Sequence, residues 1–296
     1  MDLSREARFQ DDRRDYLLHL LRLRPGMSVL EVGCGPGALS RKLARWLGPE
    51  SRVIGIDRDS AFIEYARERA RKEKIENVRF EAGDALNLPL AEDSVDACTS
   101  HAVVEHAPNR EFLLQQRRVC RPGGVVSVMN VRGSWSISSN PSYPHQRSRR
   151  EQELWKPIEE SWRENAKESK VGTFGPDLVG LPALFEELGF VSVQVDAIAL
   201  PVVPDDARHA LEYRKWLIDA QWKEDVEMLE MYLRNRRDVL PEAGANELRA
   251  LIDKRCRDRL AMVDHGHTLW DYRISIVVIF SGTVPKRNPT PRRSRD

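Results

Sequence analysis

Cysteine is scarce and scattered. Cys34, Cys98, Cys120 and Cys256 form no close pair, which argues against a disulfide framework or a zinc knuckle and fits a reducing compartment. Excess charge of either sign is also missing. Lys and Arg number 47 and Asp and Glu 46, for a net charge of +1, so nothing pulls the chain as a whole toward nucleic acid or an anionic membrane. No apolar run approaches the roughly 18 residues that a membrane span requires. The opening segment, MDLSREARFQDDRRD, is charged and unlike a secretion signal. There is no internal repeat. These absences together lead to the expectation of a soluble, cytoplasmic protein.

What is present is a chain of 296 residues with 41% apolar content, enough for a full core in one large domain or one domain with a substantial addition. Residues from about Arg5 to Leu21 read as one amphipathic helix. Strand and helix signals then alternate. The strands are MSVLEV, RVIGID, NVRFEAGD, SVDACTS and GVVSVMNV. Between them lie a helix carrying Leu39, Leu43 and Leu47, a helix capped by Asp59 or Ser60, and a helix in NREFLLQQRRVC that RPGG ends. This alternation implies right-handed crossovers and a parallel sheet covered on both faces.

After Val131 the rhythm breaks. The segment from Arg132 to Gly175 is turn-rich and reads as a loop, and GPDLVGLPALFEELGF returns to a helix. VSVQVDAIAL gives a sixth strand, but YRISIVVIF, the seventh, comes only after a long helical stretch. The expected fold is therefore α/β: a Rossmann-like, seven-stranded, mostly parallel sheet with helices on both faces. A helical cap is inserted between the last two strands. Residues 1–204 and 271–285 form the core, 205–270 the helical insertion or lid, and 286–296 a basic, disordered tail.

The stretch VLEVGCGPGALS places Gly33, Gly35 and Gly37 just past the first strand. Gly33-x-Gly35-x-x-Ala38 formally satisfies the dinucleotide fingerprint. Glu31 counts against it, because a carboxylate beside the turn repels a pyrophosphate and suits a ligand with an ammonium group. Asp57 ends the second strand, where an acid can accept hydrogen bonds from both hydroxyls of a ribose. Asp84 ends the third, placed to accept from an adenine amino group. Three acids on the carboxyl edge of successive parallel strands describe a ligand with an amino group, a ribose and an adenine but no phosphate. S-adenosyl-L-methionine fits that description.

VLEVGCGPG, VIGIDRD, FEAGDALNLPL, SVDACTSHAVVEH and RVCRPGG occur in that order. In this the chain resembles the class I S-adenosylmethionine-dependent methyltransferases, in the group that includes the ubiquinone/menaquinone-type small-molecule enzymes. The resemblance covers about residues 10 to 131 strongly and the last two strands more loosely. It implies that Glu31 orients the glycine loop and the methionine amino end, with Gly33 and Gly35 under the methionine part. It implies that Asp57 holds the ribose hydroxyls, that Arg58, Asp84 and Ala85 lie at the adenine, and that His101 borders the methyl group. Gly37 serves either helix packing or the ligand. Cys34 reads as a small filler, since methyl transfer from a sulfonium needs no enzyme thiol.

The donor is already activated, so in-line displacement mainly demands alignment and exclusion of water. His101 acts either as a base or as a steric wall; Glu105 and His106 are weaker candidates. Aromatics outside the core, among them Tyr143, Trp155, Tyr213, Trp216, Trp222 and Trp270, suit an aromatic-rich lid over a small-molecule acceptor. His265 and His267 in DHGHTLWD lack a further ligand nearby, so no metal is expected. The runs QRSRR and RRSR read as solvated surface and tail, so no nucleic-acid partner is expected. SHAVVEH lacks the Asn-Pro-Pro-aromatic pattern of enzymes that methylate amino groups of nucleic acids and glutamine, and no Pro-Cys pair is present. A protein or RNA acceptor is the alternative reading, and a non-catalytic S-adenosylmethionine-binding module a further one. The sequence leaves the oligomeric state open.

Overall fold

A computed structural model describes residues 2–139, 147–168, 179–235 and 239–286. Among these residues, seven strands form one sheet: β1 Ser28–Val32, β2 Arg52–Asp57, β3 Val78–Ala82, β4 Val95–His101, β5 Cys120–Ser138, β6 Val191–Val202 and β7 Arg273–Thr283. Their order is β3-β2-β1-β4-β5-β7-β6. The pairs β1–β2, β1–β4, β2–β3 and β4–β5 are parallel. β7 runs against β5: Gly123 N–H donates to the Val284 carbonyl and Val284 N–H to the Gly124 carbonyl at one end, and Ser139 N–H reaches the Tyr272 carbonyl at the other.

The chain leaves β1 toward β2 and β3, then returns to the other side of β1 for β4. The carboxyl ends of β1 and β4 thus flank a topological switch point, where open α/β sheets bind ligands. β1 is apolar apart from Ser28 and Glu31, and Val29, Leu30 and Val32 are fully buried, as strands covered on both faces require. The main crossover helices are α3 Ala38–Leu47, α4 Ser60–Lys72 and α5 Asn109–Val119. Asp59 caps α4 by accepting from the amides of Ala61 and Phe62. α7 Leu181–Glu187 precedes β6, and its Phe185 packs on Phe190 with ring centroids 4.9 Å apart.

The remaining helices are α1 Asp2–Arg8, α2 Arg14–Leu20, α6 Arg149–Glu168, α8 Leu211–Asn235 and α9 Glu242–Asp264. Two compact units emerge. The sheet unit comprises Asp15–Asn130, Phe174–Asp196 and Val278–Asp296; the helical unit comprises Met1–Arg14, Val131–Thr173 and Ala197–Val277. In the helical unit, Leu154, Trp155 and Ile158 of α6 meet Val226 and Leu229 of α8 and Leu248 and Ile252 of α9.

Three local readings of the sequence need correction. The expected single helix from Arg5 to Leu21 is broken after Arg8, with a 3-10 turn at Asp11–Arg13 before α2. Gln10 Nε2 is held by the carbonyls of Ala7 at 3.2 Å and Pro201 at 2.6 Å, and acids at Asp11 and Asp12 open the second helical segment. RPGG is part of β5 rather than a separate turn. The register steps from Val95↔Cys120 to Ala97↔Val125, so the strand bulges there. The expected loop from Arg132 to Gly175 instead carries the end of β5 and all of α6. In both β5 cases the deciding hydrogen-bond partner is β7, well over a hundred residues later.

The helical insertion between β6 and β7 is α8 and α9. Both carry charged residues on buried faces. Arg255 of α9 binds both oxygens of Glu151 at 3.1 Å and Asp225 at 2.7 Å. Arg259 binds Asp271 at 2.6 Å and Asp205 at 2.7 Å. Each buried guanidinium is thus matched by two buried carboxylates. No helix among the described residues is long and apolar enough to cross a membrane. The segments 140–146 and 287–296, which include Tyr143 and nearly all of the basic tail, lie outside the described residues.

Candidate functional site

The glycine loop after β1 is stitched down from every side. Gly33 and Cys34 donate their amides to the Ile56 carbonyl at 2.7 and 3.0 Å, and Gly37 donates to Cys34 at 3.0 Å. Gly35 donates to Asp57 Oδ2 at 2.8 Å. Arg41 on α3, fully buried, donates to the Pro36 carbonyl at 2.9 Å and to Glu73 at 3.2 Å. Glu31 is buried and accepts from Ser40 Oγ, the next helix's contribution to the loop.

This wiring bears on the two ligand classes that the glycines alone left open. A pyrophosphate is held by free backbone N–H groups on the loop. Every amide from Gly33 to Gly37 is engaged inside the protein, and Pro36 has none. The loop itself therefore offers a phosphate no free N–H, while a ligand contacted through the carboxylates keeps its acceptors.

Two of the glycines have packing reasons that the sequence could not rank. A Cβ on Gly33 would lie 2.4 Å from Val103 Cγ2, just past β4. A Cβ on Gly37 would lie 2.7 Å from the Phe80 ring and 2.8 Å from Ala66 of α4, at a φ of +83°. Gly37 thus makes room for helix packing. Gly37→Ala is expected to destabilise the sheet unit by about 2–5 kcal/mol, combining left-handed strain with overpacking. Chemical denaturation of the variant measures this, and a midpoint equal to wild type would contradict it. Cys34 sits in the same apolar cluster, with Ile63, Ala66, Ala70 and Phe80.

Asp57 lies partly buried at the end of β2. Its two oxygens take the Gly35 amide at 2.8 Å and the Asp59 amide at 3.0 Å. A carboxylate offers about four acceptor sites, so capacity remains for the two hydroxyls of a ribose. Gly83 N–H reaches the Asp57 carbonyl at 2.9 Å, which brings the β3 exit beside Asp57. Asp84 follows directly. It is exposed and accepts from the Leu86 amide at 2.9 Å. Arg58 is exposed, and Ala85 is partly buried against the main core.

His101 is the last residue of β4 and is 4% exposed. Strand alternation puts it on the same face as Thr99, which pairs with Glu31. Glu31 in turn pairs with Gly55, two residues before Asp57. Glu31, Asp57 and His101 therefore share one face of the sheet at its carboxyl edge. The turn after His101 is tight: Ala102 has a φ of +56°, with its amide on Met129 at 3.0 Å. Glu105 and His106 fall in a 3-10 turn, where His106 is exposed and lies 3.4 Å from Glu105.

The other sequence features disperse. His265 turns to the Ala261 carbonyl at 2.6 Å, Asp264 pairs with Lys215, and Asp271 with Arg259. No group of three metal-ligating side chains occurs among the described residues. In the arginine run, Arg147 pairs with Glu159 at 3.0 Å and Arg150 with Glu247 at 2.7 Å. Burial pushes the Cys98 thiol up beside Cys120, away from a nucleophilic thiolate. Sequence reasoning missed Ser40, Arg41 and Val103 as loop anchors. An arginine on a helix face carries no local sign that it reaches back to a carbonyl.

Residues 23–229 match the family model described as "Methyltransferase domain". Among curated proteins, the chain is 39% identical over 108 residues to an arsenite methyltransferase of Halobacterium salinarum, a stretch covering 36% of this chain and 28% of that one. It is 32% identical over 131 residues to a ubiquinone/menaquinone biosynthesis C-methyltransferase of Legionella pneumophila, covering 44% of this chain and 50% of that one. The match thus spans half or less of these relatives' own length. Among solved structures, a phosphoethanolamine N-methyltransferase of Haemonchus contortus in complex with S-adenosylhomocysteine shares the fold. The TM-score is 0.51 at 15% identity, over 93% of this chain and 53% of that one. With its glycine loop, its strand-end acids and this match over most of its length, the chain belongs to the methyltransferase-domain family, the class I S-adenosylmethionine-dependent methyltransferases.

Proposed function

We propose that this protein transfers the methyl group of S-adenosylmethionine to a small-molecule acceptor. The observation that carries the reading is the wiring of the glycine loop. Its amides are all engaged, while Asp57 and Asp84 keep acceptor capacity at the same edge. S-adenosylmethionine, when bound, supplies a methyl group on a sulfonium, already activated for displacement.

The chain's own residues bind and orient. Glu31, anchored by Ser40, fixes the loop and presents negative charge toward the amino end of the donor. Gly33 and Gly35 let the backbone approach the methionine part. Asp57 takes the ribose hydroxyls, and Asp84 with Ala85 and Arg58 frames the adenine. His101 borders the reacting methyl group, as a base where the acceptor arrives protonated or as a wall where it does not. The two roles separate cleanly. A base predicts that His101→Gln loses the pH dependence of kcat, whereas a wall predicts that His101→Gln keeps it and His101→Ala lowers kcat.

A small acceptor is supported by the names of two relatives, an arsenite methyltransferase and a C-methyltransferase of ubiquinone/menaquinone biosynthesis, and by a helical insertion of residues 205–270, which we assign to acceptor selection. Incubating the protein with methyl-labelled donor and a cell extract tests the reading. Label is expected in the fraction below the size of macromolecules. Label in protein or RNA would overturn the small-molecule assignment, and no enzyme-dependent label at all would overturn methyl transfer.

A further inference from the structure

The amino edge of the sheet, opposite the strand-end acids, carries a cleft of its own. Its volume is about 870 Å³, and it lies wholly within the sheet unit. Ser28 opens β1 and Arg52 opens β2 at its floor, and the segment Glu73–Arg79 runs from α4 into β3 along its wall. A strand's length, about 15 Å, separates the cleft from the donor edge. Its size falls in the range of small-molecule sites.

The chain itself holds the walls in place. Asn77 Nδ2 donates both its hydrogens, to the carbonyls of Ala44 at 2.9 Å and Gly48 at 2.8 Å. Ser51 Oγ donates to the Leu47 carbonyl at 3.0 Å and accepts the Gly26 amide at 2.8 Å. Ser28 pairs in register with Arg52, and the Val53 amide reaches the Asn77 carbonyl at 2.9 Å. Arg52 thus stands between Ser28 and Asn77 in one row. Four of the charged residues lining the cleft have partners: Arg45 and Glu73 lie 2.8 Å apart, Arg79 meets Glu81 at 3.3 Å, and Asp96 meets Arg121 at 2.5 Å.

The groups left over have a definite chemistry. Arg52, Lys74, Glu50 and Glu76 line the same cleft and form no ion pair among the described residues. Asn77 Oδ1, oriented by the two bonds of its own Nδ2, accepts no hydrogen bond from them, and Ser28 Oγ is enclosed without a partner. A lone anion in the cleft would meet Glu50 and Glu76, and a lone cation would meet Arg52 and Lys74. A ligand that carries both charges satisfies all four. We propose that this cleft is a second ligand site, which takes a free amino acid with its carboxylate on Arg52 and Lys74 and its ammonium on Glu76 and Asn77 Oδ1. The guanidinium fork of Arg52 matches the two oxygens of a carboxylate with charge-assisted bonds. Glu50 adds a second counter-charge for the ammonium. The site lies on the opposite edge from the methyl donor and does not rest on the function proposed above.

The test uses the whole chain and each of the common L-amino acids in turn, with sodium acetate and ethylammonium chloride as single-charge controls at equal ionic strength. Thermal melting is expected to show a saturable rise in melting temperature with at least one amino acid and none with either control. Calorimetric titration with the responding amino acid then gives its affinity. Arg52→Gln and Glu76→Gln, both at exposed positions, are each expected to weaken binding about tenfold or more, the size of one lost charge-assisted bond. Circular dichroism checks that each variant is folded. Glu68→Gln, on the surface of α4 beside Lys72, should leave the affinity unchanged. Absence of a saturable response to every amino acid overturns the site. So does wild-type affinity in both folded variants, because the amino acid then binds elsewhere, the donor edge included. An equal response to acetate or to ethylammonium overturns recognition of the two charges together. Failure of methyl transfer in the wild type would strike the proposed function and leave the amino-acid result standing.

Discussion

Replacing Asp57 with alanine is expected to weaken S-adenosylmethionine binding by about a hundredfold or more. Two hydrogen bonds from ribose hydroxyls to a carboxylate are together worth about 3–6 kcal/mol, which corresponds to factors of about 10² to 10⁴ in affinity. A second loss adds to the first. The same carboxylate holds the Gly35 amide at 2.8 Å and the Asp59 amide at 3.0 Å. Without it the loop loses one of its stitches and α4 loses support for its cap. Asp57→Asn retains one acceptor oxygen and should lie between wild type and alanine. Calorimetry with S-adenosylmethionine measures both variants, and circular dichroism checks that each is folded. A folded Asp57→Ala protein binding within threefold of wild type would remove Asp57 from the donor site.

The second large effect belongs to the helical unit. Asp205 is 2% exposed, and its Oδ2 accepts from Arg259 at 2.7 Å and from the amides of Leu269 and Trp270 at 3.0 and 2.6 Å. One oxygen thus fixes the returning chain before β7 onto the start of the insertion. Asp205→Ala should cost about 3–5 kcal/mol, because it strands part of a buried charge and leaves two amides without their acceptor. The surface pair Arg150–Glu247 is equally short at 2.7 Å, but its side chains are 53% and 43% exposed. Glu247→Ala should therefore change stability little. Denaturant unfolding followed by helical signal measures both. Equal effects would mean that burial does not set the strength of these pairs.

The parts of the fold legible in the sequence share a physical cause. β1 and β2 are largely apolar because both sheet faces are covered, and Asp59 announces the start of α4 by its own side chain. In each case the signal and the structure occupy the same few residues. Glu31, Asp57 and Asp84 come to one edge for a related reason, since parallel strands deliver their ends there. What escaped depended on distant partners. β5 continues to Ser138 because β7 lies beside it, and α6 is stabilised by α8 and α9. The loop's anchors were hidden likewise. Arg41 and Ser40 sit on an ordinary amphipathic helix, and only the fold turns them toward Pro36 and Glu31. The break after Arg8 comes from Gln10 reaching Pro201, a contact that no local pattern records.

The most direct measurement is calorimetric titration of the wild-type protein with S-adenosylhomocysteine and, separately, with NAD. With the loop amides engaged and the strand-end carboxylates open to a ribose and an amino group, saturable binding is expected for S-adenosylhomocysteine and none for NAD. Well-folded protein that binds NAD, or that gives no heat with S-adenosylhomocysteine, would contradict the assignment of this edge as a methyl-donor site.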